Sequence, residues 1–283
     1  MPEAIRSSLP GLRELFAFVG DHPRILVLTG AGVSTESGIP DYRDEDGRWK
    51  RRQPVRHQEF MDSIDVRRRY WARSMLGWPV FQRARPNTAH RSLAALEASG
   101  RIQGLLTQNV DGLHQAAGHR RVMELHGNLR WVLCMDCAHR MPRTEVQRRL
   151  ESANAWLAGA AAAPAPDGDA DLEGADLDRF EPPACPACGG VLKPDVVFFG
   201  DSVPRSRVDE AMTLLAESDA LLVAGSSLMV YSGYRFCERA RSLAKPIAAI
   251  NLGATRADGL IDVKVCGPCG AVLAGLATAL GAD

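Results

Sequence analysis

The chain has 283 residues, 46% of them hydrophobic, with 34 basic and 34 acidic side chains and a formal net charge of zero. This length can bury a full core and a small second domain, and the neutral balance argues against a globally basic nucleic-acid binder. No apolar run reaches the roughly 18 residues of a membrane span, and residues 1–20 lack the apolar core of a signal peptide. We therefore expect a cytoplasmic protein that binds neither a membrane nor nucleic acid directly.

The first predicted elements are a helix over residues 9–19 and a buried parallel strand that begins at Ile25. The strand is an apolar run with β-branched residues, and it breaks at Gly30. The Gly30-Ala31-Gly32 turn lets backbone N–H groups approach a phosphate, with a helix N-terminus behind them. Thr35 stands where the dinucleotide fingerprint has its third glycine, which argues against an ordinary Rossmann dehydrogenase.

Two segments between residues 44 and 81 leave alternatives open. Residues 44–60 are charged and turn-rich, which is typical either of a mobile loop over a ligand or of a solvated surface loop. Residues 67–81 carry Tyr70, Trp71 and Trp78 in a helix-like stretch, which favours a core position over a binding site.

Polar side chains follow the second predicted strand, residues 102–107, which comes after a helix over residues 86–100. Gln108, Asn109 and Asp111 stand at the edge where α/β proteins place ligand contacts, although they could equally cap the next helix. His126 follows a short apolar strand and precedes a glycine, so its side chain can project into a cleft. An imidazole titrates near neutrality and therefore suits a general base.

Four of the seven cysteines form two C-x-x-C pairs, and this pattern favours a metal site over disulfides. The thiolates of Cys134, Cys137, Cys185 and Cys188 can hold one structural Zn²⁺, because four cysteines leave no coordination position open for catalysis. The segment between the pairs begins with a predicted helix and continues into an Ala/Pro/acidic stretch, residues 160–180. We expect that stretch to be a flexible surface loop.

After the second cysteine pair, predicted strands alternate again with predicted helices. The strands are residues 196–199, 220–224, 247–250 and 263–265, and the helices are residues 204–217, 234–243 and a last one from about 270. This alternation predicts an α/β fold, a doubly wound, Rossmann-like parallel sheet with a small inserted zinc-binding module. We assign residues 1–127 and 191–283 to the Rossmann-like domain and residues 128–190 to the zinc module with its long insert.

Taken together, the motifs resemble those of the sirtuins, which are NAD-dependent protein-lysine deacylases. The resemblance spans residues 12–280 and rests on several motifs in the same order. They are Gly30-Ala31-Gly32-Val33-Ser34, Gly38-Ile39-Pro40-Asp41-Tyr42-Arg43, residues 107–114, His126-Gly127, both cysteine pairs and Gly225-Ser226-Ser227-Leu228. Tyr42 replaces the commoner Phe, and with residues 70–73 and 231–236 it resembles the class II branch. The arginine and alanine bias suggests a bacterial source.

The resemblance implies NAD and Zn²⁺ as cofactors and an acylated-lysine protein or peptide as substrate. The implied cofactor-binding residues are Gly30, Ala31, Gly32, Ser34, Asp41, Tyr42, Arg43, Gln108, Asn109, Asp111, Gly225, Ser226, Ser227, Asn251, Gly253 and Cys269. His126 is the implied general base, with Asn109 and Asp111 contributing to catalysis. Val196, Val197, Phe198 and Phe199 would bind the substrate peptide as an added strand.

The implied reaction begins when the acyl oxygen attacks C1′ of the nicotinamide ribose and expels nicotinamide. His126 then activates a ribose hydroxyl, and the products are free lysine and O-acyl-ADP-ribose. A protein ADP-ribosyltransferase with the same NAD pocket is the main alternative, and an NAD-dependent oxidoreductase and a non-catalytic zinc protein are others. The acyl group is left open, since Tyr70 and Arg73 could read a carboxylate-ended chain or Arg73 could be structural.

Overall fold

The computed structural model describes residues 9–50, 54–157 and 177–282. In this part of the chain, the strands are β1 Ile25–Thr29, β2 Ile102–Thr107, β3 Val122–Glu124, β4 Gly127–Cys134, β5 Arg140–Pro142, β6 Leu192–Val196, β7 Ala220–Ala224, β8 Ile247–Ile250 and β9 Val263–Val265. The α-helices are α1 Leu12–Asp21, α2 His57–Asp62, α3 Ile64–Arg83, α4 Thr88–Ala98, α5 Leu113–Ala116, α6 Arg143–Ala153, α7 Arg205–Glu217, α8 Tyr231–Ser242 and α9 Cys269–Ala279.

Six strands form one parallel sheet in the order β3-β2-β1-β7-β8-β9. Every residue of β1 and β7 is buried, because helices cover both faces of the sheet. Alternate residues of β1 separate the two layers: Ile25 and Val27 pack with α1, α4 and α9, whereas Leu26 and Leu28 pack with α7 and α8. The predicted doubly wound sheet is therefore confirmed.

A second, antiparallel sheet has the order β5-β4-β6 and carries the cysteine pairs. Its core includes Val132 and Leu150 together with Phe60, Trp71 and Met75 from α2 and α3. The buried Arg143 of α6 joins the two parts by donating hydrogen bonds of 3.1 Å to the carbonyl and hydroxyl oxygens of Ser74. Helices α2 and α3 thus share the core of this sheet, and the domain division proposed from sequence stays a prediction.

The element boundaries test the sequence analysis directly. The predicted strands over residues 102–107, 220–224, 247–250 and 263–265 coincide with β2, β7, β8 and β9. The predicted strand over residues 196–199 was wrong, because β6 spans Leu192–Val196 and pairs with β4 over that range, so the strand ends where it was expected to begin. Helix α8 begins three residues earlier than predicted, and most of the expected flexible stretch, residues 160–180, lies outside the described residues.

Three histidines, His90, His114 and His119, form a buried cluster under the carboxyl end of β1. Their rings stand in a row, with centroids 4.8 and 5.3 Å apart. The Nε2 atom of His114 donates to the Thr29 hydroxyl at 3.0 Å, since that hydroxyl donates its own proton to Thr107. Burial lowers the pKa of His90 to about 4, with a further lowering by His119 and Arg91, and burial lowers the pKa of His114 well below its usual value.

These lowered pKa values predict acid sensitivity. The unfolded chain takes up protons below about pH 6.5, but folded His90 stays neutral to about pH 4, so stability falls as the pH drops through that window. Substituting His90→Gln removes one such group. Between pH 7.5 and 5.5, urea unfolding should therefore show a smaller loss of unfolding free energy in the variant, by about 1 kcal/mol. Parallel pH profiles for the variant and the unchanged protein would contradict this account.

Candidate functional site

A cavity of about 610 Å³ lies at the carboxyl edge of the parallel sheet. It opens beside the carboxyl ends of β1 and β7, which are neighbours in the sheet. The chain after β1 leads to α4 on one face of the sheet, whereas the chain after β7 leads to α8 on the other face. Residues that follow β1, β2, β7 and β8 all line it. In doubly wound sheets this point is where ligands bind, and the volume suits a ligand of nucleotide size.

The floor of the cavity is a contact between two glycine-containing turns. The N–H of Gly32 donates to the Gly225 carbonyl at 2.8 Å, and the N–H of Gly30 donates to the Ala224 carbonyl at 3.2 Å. A Cβ atom on Gly32 would stand 2.9 Å from the Gly225 oxygen. Gly225 also has a φ of +60°, which favours glycine. The glycines therefore allow two backbones to meet where side chains would keep them apart.

The polar residues that follow β2 tie this floor together. Gln108 donates from Nε2 to the Ser226 hydroxyl at 2.8 Å, and Asn109 donates from Nδ2 to the Gly30 carbonyl and to Ser34 Oγ, both at 3.0 Å. Ser34 in turn donates to the buried carboxylate of Asp111 at 2.8 Å. Burial raises the pKa of Asp111, while hydrogen bonds from the Leu113 N–H and from Ser34 oppose that change.

Residues 41–50 form a loop that covers one side of the cavity. Trp49 of this loop has its ring centroid 5.5 Å from that of Phe199 and 6.2 Å from that of Tyr42, and the Arg43 guanidinium stacks 4.0 Å from the Trp49 ring. The Ala254 N–H donates to the Glu45 carbonyl at 2.9 Å, which fastens the loop to the segment after β8. Of the two alternatives left open by the sequence, the loop over a ligand cavity is the one that fits; its mobility stays a prediction.

His126 lies between β3 and β4, and both nitrogens of its ring are hydrogen-bonded. Nδ1 lies 2.8 Å from the carbonyl oxygen of Gln108, and Nε2 lies 2.7 Å from Oγ of Ser232. Burial lowers the pKa of His126 to about 4; the bond to Gln108 opposes this, and the charges of Arg207 and Arg235 add to it. The imidazole is therefore neutral at pH 7 and able to accept a proton.

The cavity brings together the cofactor-binding, catalytic and peptide-binding residues named from the sequence, while the four cysteines and Arg73 are outside its lining. The predicted cofactor-binding and catalytic residues that line it are Gly30, Ala31, Gly32, Ser34, Asp41, Tyr42, Arg43, Gln108, Asn109, Asp111, His126, Gly225, Ser226, Ser227, Asn251, Gly253 and Cys269, and Val196 to Phe199 line it as well. Their individual roles stay predictions. Tyr70 is in this lining and Arg73 is not, so the idea of a carboxylate-reading pair is not strengthened.

Cys269 lines the cavity, but its thiol is in a surrounding that disfavours the reactive thiolate form. Burial raises the pKa of its thiol to about 12, with a further contribution from Glu36, and its Sγ donates toward the Ile250 carbonyl at 3.7 Å. A thiol that stays protonated at neutral pH is a poor nucleophile. Cys269 can therefore contact a ligand, but it is not a candidate for covalent chemistry.

The contact between Ser232 and His126 was not predicted from the sequence. Ser232 belongs to the first turn of α8, within residues 231–236, whose pattern resembles the class II branch. The signal that could have found it is its place after β7, because residues beyond the carboxyl ends of the central strands gather at the ligand edge. Arg235, one helical turn later, also lines the cavity.

The sulfur atoms of Cys134, Cys137, Cys185 and Cys188 form a separate cluster, and all of them lie within 4.8 Å of one another. The Sγ atoms of Cys134 and Cys188 are 3.5 Å apart, and those of Cys137 and Cys185 are 3.8 Å apart. Four sulfurs at about 2.3 Å from a tetrahedral Zn²⁺ stand about 3.8 Å from one another, so the cluster fits this ion. The arrangement agrees with the structural zinc site expected from the sequence.

The fold and cavity define the class as doubly wound α/β proteins that bind a nucleotide-sized ligand and carry a four-cysteine module. Sequence comparison matches residues 30–232 to the Sir2 family. The chain belongs to that family, and the predicted sirtuin membership is confirmed. The assignment to the class II branch stays a prediction.

Relatives cover nearly the whole chain. An NAD-dependent protein deacetylase of Xanthomonas campestris pv. campestris (strain 8004) is 58% identical over 274 residues, 97% of this chain and 92% of the relative. NAD-dependent protein deacetylase 2 of Bradyrhizobium diazoefficiens is 60% identical over 258 residues, 91% of this chain and 94% of the relative. A solved structure described as Sir2 with p53 peptide and NAD+ has a TM-score of 0.77 at 28% identity and covers 96% of this chain and 99% of its own.

The sulfur geometry predicts the effect of removing one zinc ligand. Substituting Cys188→Ser should lower the zinc content, measured by plasma mass spectrometry, from one ion per chain to near zero. Because the ion helps to organise a small sheet, the midpoint of thermal unfolding should fall by more than about 5 °C. Cys266→Ser is the matched control, since Cys266 is an exposed thiol outside the cluster. Full zinc retention in the Cys188 variant would rule out the assigned ligand set.

Proposed function

We propose that this protein is an NAD-dependent protein-lysine deacetylase that releases nicotinamide and O-acyl-ADP-ribose. The observation that carries the proposal is the neutral imidazole of His126 at the wall of a nucleotide-sized cavity. The names of the bacterial relatives support the same activity. Acetyl is the acyl group we infer from these names, and longer or carboxylate-ended groups are left for a substrate panel.

In this proposal, different residues of the cavity bind different parts of the NAD molecule. The turns at Gly32 and Ser226 suit the phosphates, because the glycines of these turns have no side chains that would keep a ligand away from the backbone. Asn109 and Asp111 suit the nicotinamide ribose and amide, which need partners when buried. NAD itself supplies the ribose carbon that loses nicotinamide and receives the acyl oxygen.

His126 acts in this proposal as the general base on a hydroxyl of that ribose. Its Nδ1–H is held by the Gln108 carbonyl, so the lone pair of the neutral ring is on Nε2, which faces Ser232, another residue of the cavity lining. A proton moves from the hydroxyl to Nε2, and the freed oxygen attacks the acyl carbon. Because the pKa of His126 is about 4, the ring keeps this lone pair through neutral pH.

The substrate peptide lies along residues 196–199 in this proposal. These residues line the cavity, and the Val197 N–H donates to the carbonyl of His126 at 2.8 Å, so the segment runs beside the base. Since β6 ends at Val196, an extended peptide would meet a loop that continues the line of the strand. A solved relative described as Sir2 bound to acetylated peptide supports this class of substrate.

We also propose a cytoplasmic location, with no direct nucleic-acid or membrane partner, on the basis of the neutral charge and the sequence pattern. Among the residues that the structure describes, no helix combines the length and the apolar character needed to cross a bilayer.

The proposed role of the base predicts the outcome of His126→Ala. Formation of O-acetyl-ADP-ribose from NAD and an acetyl-lysine peptide should fall by about 100-fold or more, since proton transfer by a positioned base contributes at least that much. The affinity for NAD, measured by calorimetry, should stay within a few-fold of the original, because the proposal gives the ring a role in the proton transfer and none in holding the phosphates. An active variant would refute the role of His126.

The same assay separates the alternative function from the proposed one. An ADP-ribosyltransferase would leave label from adenine-labelled NAD attached to protein after denaturation, whereas a deacetylase leaves the label in a small molecule. Mass spectrometry of both fractions therefore decides between them. Attached label without any deacetylated peptide would replace the proposed function with the alternative.

A further inference from the structure

The hydroxyl of Ser232 touches the nitrogen atom of His126 that the proposed reaction uses. We propose that Ser232 is a positioning residue: its hydroxyl keeps the His126 ring aimed at the substrate by hydrogen-bonding Nε2 before and after the proton is transferred. The proposal rests on the proposed function of His126 as a base.

The direction of each hydrogen bond follows from the chemistry of its partner. A carbonyl oxygen only accepts, so the 2.8 Å contact with Gln108 places the ring proton on Nδ1. In the neutral ring Nε2 then has a lone pair, and the Ser232 hydroxyl, 2.7 Å away, is the donor to it. The ring is thus held at both nitrogens and cannot turn without losing two hydrogen bonds.

The two partners of the ring belong to elements that press against each other. Gln108 follows β2, and Ser232 is in the first turn of α8, where only 9% of it is exposed. The next residue, Gly233, lies so close that a Cβ atom on it would stand 2.5 Å from Oε1 of Gln108. The start of α8 is therefore fixed relative to the Gln108 carbonyl, and the ring between them has a defined orientation.

A hydroxyl suits this position because it can both donate and accept. While the ring is neutral, Ser232 donates to Nε2; when the ribose hydroxyl arrives, rotation about the Cβ–Oγ bond frees the lone pair for it. After transfer the proton is on Nε2, and a lone pair of Ser232 Oγ accepts it. The ring keeps its place in both states, whereas alanine would supply neither bond.

The positive charges near the ring increase the importance of the hydrogen bond that Ser232 Oγ accepts from the protonated ring. Arg207 of α7, which donates to the Leu125 carbonyl at 3.1 Å, and Arg235 of α8 both disfavour the protonated ring. Gln108, the partner from the end of β2, is uncharged. The Ser232 hydroxyl can accept a hydrogen bond from Nε2–H, so its loss would slow the step in which the imidazolium forms.

The test is the variant Ser232→Ala, with Ser242→Ala as the matched control at the exposed end of the same helix. Two steps are followed separately: exchange of labelled nicotinamide into NAD, which precedes the proton transfer, and formation of O-acetyl-ADP-ribose, which follows it. We expect Ser232→Ala to lower kcat for product formation by about 10-fold or more while KM for NAD and nicotinamide exchange stay within two-fold. Ser242→Ala should match the original protein in both.

A double-mutant cycle tests whether Ser232 acts through His126. In the His126→Ala background, adding Ser232→Ala should change the residual product rate by less than two-fold, because no ring is left to position. A full 10-fold loss in that background would overturn the proposal. So would an equal loss of exchange and product formation in the single variant, or product formation at the original rate. If the unchanged protein forms no product, the proposed function fails instead.

Discussion

The close contact between the Gly30–Gly32 turn and the turn at Gly225 is the constraint on which the site depends. β1 and β7 are adjacent central strands, so the turns that follow them meet at the same edge of the sheet and must pack closely against each other. Here they interlock through a backbone hydrogen bond of 2.8 Å, at a distance that leaves no room for a Cβ atom on Gly32. Because no side chains fill this junction, the space above it stays open as the cavity.

The polar residues behind the junction explain why it can hold a charged and polar ligand. Asn109 joins the end of β2 to Gly30 and Ser34, and Gln108 joins it to Ser226 after β7. Both side chains are thus held in place by neighbouring residues of the protein. Such orientation in advance lowers the cost of ordering the site on binding and aligns the reacting groups. The same network passes through the Gln108 carbonyl to the ring of His126.

The sequence predicted best what depends on local pattern. The apolar runs of β2, β7, β8 and β9 have the bounds that their composition indicates, and the two C-x-x-C pairs predicted a cluster that the fold assembles. The predictions from sequence failed where contacts between distant parts of the chain set the structure. The strand expected at residues 196–199 is displaced toward Leu192 because pairing with β4, and not residue preference, sets the bounds of β6. The contact of Ser232 with His126 joins residues 106 positions apart, and no local pattern encodes it.

The antiparallel ladder of β4 and β6 connects the four cysteines to the base. At one end of the ladder Cys134 pairs with Leu192, and at the other Gly127 pairs with Val196. His126 and Val197 lie just beyond that second end and are joined there by a 2.8 Å backbone hydrogen bond. A metal bound by the cysteines would therefore hold the far end of the two strands that present the base and the peptide-binding segment. Although it would stand away from the reacting atoms, it would support catalysis by keeping these two strands in register.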